Sequence, residues 1–441
     1  MKKSIVLMAV LSLFGLTAGV ADNPAAFSPA PAGVWQSQSQ KLSVPERGFI
    51  SSEPAETWEQ GLLSGNGSIG ASVLSRPLDE IVVFSHKHLL VPERAPLPPP
   101  NTGERLFEIR RLIDRGLYEQ ASRLAMSLSE QKGFLYPDPL MPAFDLRIKM
   151  GAEGAVAGYA RSTDFRTGET TVHWADGRGV FERRLFVSRA DGVAVMSING
   201  PGRGQVSCRL ELAPRDPSAR RFKSNINNLA TSADQSFLFY RNGFINAYPG
   251  GIQGLEGTAR VIARNGTVTV DGPAISVAGA DDVLLLIDIT LLDEPDKSRL
   301  GQTRSALQKM PADYASLLAR HAQIHGDLFG RMRLDLGGGA DRALTSEQLL
   351  AKTTDAEPSR ALIEKLFDAG RYNIISSTSD WPPTLQGVWA GTYEPPWSSD
   401  FTHNGNVPSA ISSLLMGNTP ELMLAYTSYM EWLVPWLEIN A

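Results

Sequence analysis

Between about Pro45 and Leu292, apolar residues alternate with polar ones in short runs bounded by Gly, Pro, Asn and Asp. GSIGASVL (67–74), EIVVF (80–84), DLRIKM (145–150) and TTVHWADG (170–177) show the pattern, as do VFERRLFVS (180–188) and VAVMSI (193–198). ARVIAR (259–264), TVTVDG (267–272) and VLLLIDI (283–289) continue it. A period of two sends successive side chains to opposite faces of a strand. So many short strands separated by polar turns predict a large antiparallel sandwich. One stretch, 103–131, breaks the period: Leu106, Ile109, Leu112 and Ile113, then Ala121, Leu124, Ala125 and Leu128, recur at helical spacing.

After Leu292 the period changes from two to that of a helix. Residues 301–329 read as a connecting helix or helix pair broken near Pro311, and RMRLDLG (331–337) as a short strand. Residues 338–356 read as a loop linker. A strong helix over 357–378 carries Leu362, Leu366, Phe367 and Tyr372 on one face. A Pro-, Trp- and Gly-rich loop (379–403) follows, then helical segments over about 407–416 and 419–439. The chain is therefore β first and α later: a sandwich domain over 45–292 with its helical insertion, a helical linker and strand over 293–337, the loop linker, and a helical domain over 357–441.

Lys2 and Lys3, an apolar run from Ile5 to Leu16, and small residues at Gly19 and Ala21 form a cleavable export signal over 1–21. The run is too short to span a bilayer comfortably, and no later stretch approaches 18 apolar residues. A periplasmic or secreted bacterial protein, without a membrane span once the signal is removed, is the expectation. Residues 22–44 form a Pro/Ala/Ser/Gln-rich lead-in. The whole chain has 42 basic and 47 acidic residues; without Lys2 and Lys3 the balance is 40 against 47, a net of −7. This leaves no electrostatic footprint for nucleic acid or an anionic membrane surface. The single cysteine, Cys208, excludes an intrachain disulfide and sits in an alternating apolar run as a buried small residue. His86 and His88 point to one face of a strand but have no third ligand at suitable spacing, so no metal and no cofactor are expected. Gly65-Asn66-Gly67 lacks the Lys-Ser/Thr of a phosphate loop and reads as a turn.

Two longer segments resemble glycoside hydrolase family 95, the inverting α-L-fucosidases and relatives. They are WEQGLLSGNGSIGASV (58–73) and GRYNIISSTSDWPPTLQGVWAGTYEPPWSSDFTHNGN (370–406). FERRLFVSRADGVAVMSI (181–198) and HGDLFGRMRLDLG (325–337) resemble family segments in the same order. The resemblance implies an N-terminal β-super-sandwich, a helical linker, and an (α/α)6 six-hairpin barrel holding the active site. Such a barrel needs about twelve helices, roughly 300 residues. The 85 residues from 357 to 441 supply about a quarter of that, so the chain reads as C-terminally incomplete. A partial helical layer leaves apolar faces open and predicts self-association or a frayed C-terminal region.

Inverting hydrolysis needs a general acid for the leaving oxygen and a base-activated water on the opposite face. The resemblance implies that Asn404 and Asn406 orient this water, with the carboxylate partner and the general acid in segments beyond Ala441. An amide has no proton equilibrium in range, so it positions the water without activating it. The alternative is that both asparagines cap the following helix. Asp400 lies in a Ser-Ser-Asp turn, where turn duty competes with a role as base. His403 is a candidate contact to a sugar hydroxyl, and Trp381 and Trp397 are candidates for lining a sugar site; Trp389 is assigned to packing. The family's Met-Asn-Tyr-Trp-like stretch is replaced here by VPSAISS (407–413), which alters the pocket. The expectation is thus an exported glycosidase acting on a terminal sugar of a glycan. The alternatives are an α-L-galactoside or another terminal sugar as substrate, or a catalytically incomplete carbohydrate-binding or scaffold protein.

Overall fold

A computed structural model describes residues 42–95, 103–128, 136–215, 225–294 and 296–440. The export signal, nearly all of the lead-in and residues 129–131 of the helical insertion lie outside the described residues. The strands form two antiparallel sheets. The larger has nine strands in the order Gly48–Ser51, Ala157–Asp164, Glu169–Asp176, Gly179–Val187, Ala194–Asn199, Asp282–Leu292, Gly254–Arg264, Phe237–Phe244, Ile226–Ala233. The smaller has seven, in the order Thr267–Asp271, Ala274–Ala280, Val206–Ala213, Leu140–Met150, Asp79–Leu90, Ile69–Val73, Leu62–Gly65.

The alternation explains the packing. Val82, Phe84, Phe144, Leu146 and Ile148 of the smaller sheet meet Trp174, Phe181, Leu185, Met196 and Leu285 of the larger in one core. Each such side chain contributes about 1.5–3 kcal/mol by leaving water. The strand Asp282–Leu292 is apolar on both sides for a specific reason. Val283, Leu285 and Ile287 face that core, whereas Leu284 and Leu286 face a second one formed with Leu307 and Leu317 of the helices that follow. Cys208 is buried in the inter-sheet core, where loss of solvation pushes its thiol up to about 12.

The helices are α1 (Leu106–Asp114) and α2 (Tyr118–Ser127) in the insertion, then α3 (Leu300–Lys309) and α4 (Tyr314–Gly330). After them come α5 (Ser346–Lys352), α6 (Arg360–Ser377), α7 (Asn406–Ile411), α8 (Ser413–Met416) and α9 (Leu424–Asn440). The break between α3 and α4 falls where Pro311 forces Met310 into an extended conformation. Asp313 then caps α4 by accepting from Ala315 N and Ser316 N. Among the described residues no helix is long and apolar enough to cross a membrane.

Two linker segments differ from expectation. Residues 331–337 form no strand. At the end of this segment a carboxylate takes the place of a neighbouring strand: Glu364 Oε1 on α6 accepts from Leu336 N at 2.6 Å and from Gly338 N, just past the segment, at 3.1 Å. Arg342 adds an ion pair to the same carboxylate at 2.7 Å, and these donors draw Glu364 down to about 2. Residues 338–356 hold a 3-10 turn, Gly339–Ala343, and the helix α5, so they are not a plain loop. α5 is started by a capping box between Thr345 and Gln348, a signal legible in the T-x-x-Q spacing.

Candidate active site

The loop between α6 and α7 carries the candidate site residues, and the sandwich holds it in place. The strands Leu62–Gly65 and Ile69–Val73 and the turn between them present glycines close to the main chain of the helical domain. A Cβ at Gly65 would stand 2.6 Å from Ser376 O, one at Gly67 2.3 Å from Thr378 O, and one at Gly70 2.7 Å from Val388 O. Gly67 also has φ +91°, a region that side chains avoid. Asn66 closes the turn, its Oδ1 accepting from Ser68 N and Ile69 N at 2.9 and 2.8 Å. The motif is therefore a turn, and its bare backbone is also a docking surface.

Polar groups complete the seam. Gly67 N donates to Ser376 O at 2.7 Å, Ser85 Oγ to Val388 O at 2.6 Å, and Trp389 Nε1 to Ser64 O at 2.9 Å. Two basic side chains of the sandwich follow, Arg189 at the C-terminal end of α6, where helix carbonyls carry partial negative charge, and Lys87 at the loop after it. Arg189 donates to Ile375 O and, at 3.0 Å, to Thr378 O. Lys87, fully buried, donates to Trp381 O at 2.5 Å. Burial pulls the Lys87 ammonium well below its usual range; nearby Asp380 opposes this and Arg189 adds to it. Burial likewise brings Arg189 down to about 10.

On this base stands an aromatic cluster. Trp381 is half-buried, with ring centroids of His88 at 4.3 Å, Trp432 at 4.8 Å, Tyr429 at 5.0 Å and Phe401 at 5.7 Å. His403 stacks on Tyr429 at 5.1 Å, and neither of its ring nitrogens has a hydrogen-bond partner. Burial lowers its imidazolium, opposed by Asp400, which favours the neutral ring. Asn404 and Asn406 follow, both exposed. Gly405, at the N-cap of α7, makes no side-chain cap bond, and Asn406 is already the first helical residue. The structure thus brings Trp381 and His403 into one cluster and presents the two amides to solvent beside it. Trp397 stands elsewhere: it is 74 % exposed on a left-handed turn with φ 55°. Asp400 is half-buried and accepts from the Thr402 hydroxyl within its own turn. Trp389, 5 % exposed, packs.

Sequence reasoning missed one pair and several supports. His88 Nε2 lies 2.7 Å from Asp380 Oδ2 across the seam. Burial would raise the Asp380 carboxyl, but the hydrogen bond and charge of His88, the Ser379 hydroxyl and Lys87 outweigh it and hold the group well below the usual carboxylate range. His86 is brought down to about 3, by burial first and then by His88. Among the described residues no three His, Cys, Asp or Glu side chains are grouped to hold a metal. The His-Lys-His spacing was the visible signal for this pair, but its partner lies 292 residues away. Tyr426, Tyr429 and Trp432, three residues apart on α9, were the visible signal for the cluster.

Two known families each match one part of the chain, and relatives match most of it. Residues 49–291 match the family described as "Glycosyl hydrolase family 65, N-terminal domain", and residues 313–441 match "Glycosyl hydrolase family 95 catalytic domain". "Alpha-L-fucosidase 2" of Arabidopsis thaliana is 26% identical over 412 residues, covering 86% of this chain and 48% of that protein. "Probable alpha-fucosidase A" of Aspergillus oryzae (strain ATCC 42149 / RIB 40) is 24% identical over 409 residues, covering 86% and 54%. The chain spans about half the length of these relatives. Among solved structures, a putative kojibiose phosphorylase from human microbiome aligns over 79% of this chain and 45% of its own, at 10% identity and a TM-score of 0.46.

Proposed function

Because the chain belongs to the glycosyl hydrolases, of family 65 in its N-terminal domain and of family 95 in its catalytic domain, we propose that it is part of an exported inverting glycosidase. In this reading it supplies the sandwich and the first part of an (α/α)6 catalytic barrel, and removes a terminal α-L-fucose from a glycan. Asn404 and Asn406 orient the attacking water, and His403 and Trp381 line the sugar site. The signal pattern of residues 1–21 supports the export.

The observation that carries the reading is the Asn404-Gly405-Asn406 step. Both amides are exposed beside the aromatic cluster, and neither is used to cap α7. An amide offers two N–H donors and a carbonyl acceptor, so a pair of them fixes a water's orientation without exchanging protons with it. The proton then passes to a carboxylate elsewhere in the whole protein.

The substrate alternative rests on the VPSAISS stretch (407–413), which carries no large aromatic after the two amides. An α-L-galactoside differs from a fucoside by one added hydroxyl.

Asn404→Ala in the full-length natural protein tests the role. The expected outcome is a fall in kcat of roughly 10²–10³-fold on an aryl α-L-fucoside, with the melting midpoint within about 2 °C of wild type. An undiminished rate overturns the water-orienting role. A wild-type protein that binds the sugar but hydrolyses neither aryl fucoside nor aryl galactoside makes it a carbohydrate-binding protein instead.

A further inference from the structure

The pair of His88 from the sandwich and Asp380 from the loop after α6 has no part in the roles assigned above, although its geometry suits a sugar. His88 extends from the strand Asp79–Leu90 and its backbone N donates to His86 Nδ1 at 3.2 Å. The His86 ring lies 5.8 Å behind it and the Trp381 ring 4.3 Å beside it. The imidazole is thus gripped on two sides, and its Nε2 meets Asp380 Oδ2 at 2.7 Å. The other carboxylate oxygen, Oδ1, accepts from Ser379 Oγ at 2.7 Å. Ser379 is itself tied to the sandwich by Ser68 Oγ at 3.2 Å and by Lys87 Nζ at 3.4 Å. Asp380 is therefore oriented by residues from both domains, yet its side chain remains 58 % exposed. Each carboxylate oxygen has two lone-pair positions, so one donor on each leaves two free acceptor positions facing solvent.

An oriented anionic acceptor beside an aromatic wall is a means of recognising vicinal sugar hydroxyls. The hydroxyls donate to the carboxylate, while the aromatic wall excludes water from the apolar side of the ring. We infer that Asp380 is a substrate-contacting residue that accepts from hydroxyls of the terminal sugar, and that His88, supplied by the sandwich, is its positioning residue. The inference rests on the proposed glycosidase reading and deepens it, because the N-terminal domain then takes part in choosing the sugar. The ring contacts run without a gap from His88 through Trp381 and Tyr429 to His403, the residue before Asn404. An exposed ion pair serving stability alone would be worth little, so its removal separates the two roles.

The experiment uses the full-length natural protein with 4-nitrophenyl α-L-fucoside and its 2-, 3- and 4-deoxy analogues. It also measures binding of free L-fucose by saturation-transfer NMR. Asp380→Ala is expected to lower kcat/KM on the parent substrate about 10- to 100-fold, chiefly through KM, with the melting midpoint within about 2 °C. The loss shrinks towards onefold on the deoxy analogue that lacks the hydroxyl Asp380 receives. His88→Ala reproduces a part of the loss, and His88→Gln, which keeps an N–H for Asp380, recovers most of it. A wild-type protein that hydrolyses the fucoside while Asp380→Ala matches it, or loses equally on every analogue, overturns the inference and leaves the glycosidase reading in place. A wild type that hydrolyses nothing, yet binds L-fucose in a way Asp380→Ala abolishes, overturns hydrolysis and supports the sugar contact. Absence of both hydrolysis and L-fucose binding in the wild type overturns both.

Discussion

The helices α6 and α9 reverse the usual relation between polarity and burial. α6 buries Glu364, Asp368, Tyr372, Ser376 and Ser377. Several of these meet a specific partner: Arg47 pairs with Asp368, Arg342 with Glu364, and Tyr372 OH donates to Leu63 O at 2.7 Å. α9 is the more apolar sequence, yet Leu424, Trp432, Val434, Trp436 and Leu437 are each between 46 and 64 % exposed. What distinguishes the two is the neighbour. α6 lies between the sandwich and the linker, which bring Arg47 to Asp368, the Leu63 carbonyl to Tyr372 and Arg342 to Glu364. α9 meets the cluster around Trp381 with one side and water with the rest. Burial of polar groups is tolerated where each finds a hydrogen bond. Exposed apolar area of this extent marks a surface suited to a partner.

The comparison breaks most severely at Gly67. Gly67→Val places a side chain against Thr378 O and forces a positive φ, at a cost of about 3 kcal/mol or more. The melting midpoint should fall by roughly 6–12 °C. Gly116, also at positive φ (+71°) but with nothing near its Cβ position, is the control. Gly116→Ala should cost only about 1 kcal/mol. Equal effects at the two positions would show that the close approach of the domains contributes nothing.

Acid should strain the α6 side of the comparison next. His321 and His325 of α4 stack at 5.2 Å inside the seam, with Arg189 N donating to His321 Nδ1 at 3.0 Å and His325 Nε2 on Phe165 O at 3.0 Å. Burial lowers both rings, His321 to about 3 and His325 well below its usual value, with Arg189 adding to each. The unfolded chain takes up these protons near pH 6.5 while the native state refuses them. Stability is therefore full above about pH 6.5 and lost as pH falls towards 3, by about 1.4 kcal/mol per pH unit for each histidine. Denaturant midpoints between pH 4 and 7 should show that slope, and His321→Phe with His325→Leu should flatten it. An unchanged slope in the double variant would assign the acid sensitivity elsewhere.

The smallest effect on stability is expected on the open side of α9. Trp436→Gln with Leu437→Lys should shift stability by less than about 0.5 kcal/mol. It should nevertheless reduce the self-association that sedimentation is expected to show for these 441 residues. A monodisperse wild-type monomer would mean that the exposed apolar face is inert.

The sandwich was legible because a period of two leaves a regular trace wherever one strand face is buried. The strand Ile226–Ala233 was not, since none of its residues is buried and its sequence, INNLATSA, shows no alternation. Residues 331–337 alternate well enough to suggest a strand, yet Glu364 supplies the acceptor that a partner strand would have supplied. For the site, Asn404, Asn406, His403 and Trp381 were singled out through a long local motif, whereas the contact between His88 and Asp380 left no local trace.

The helix starts at Asp313 and Ser359 and the turn at Asn66 were determined by the sequence itself, because each depends on residues a few positions apart. Only the tertiary structure decided that Arg189 would meet the carbonyl end of α6, that Lys87 would meet the loop after it and that His88 would meet Asp380. These contacts join residues nearly 200 to 300 positions apart. A hydrogen bond or ion pair acts over a few ångströms, and which distant groups come within that range is set by the packing of two domains, which local periodicity does not record.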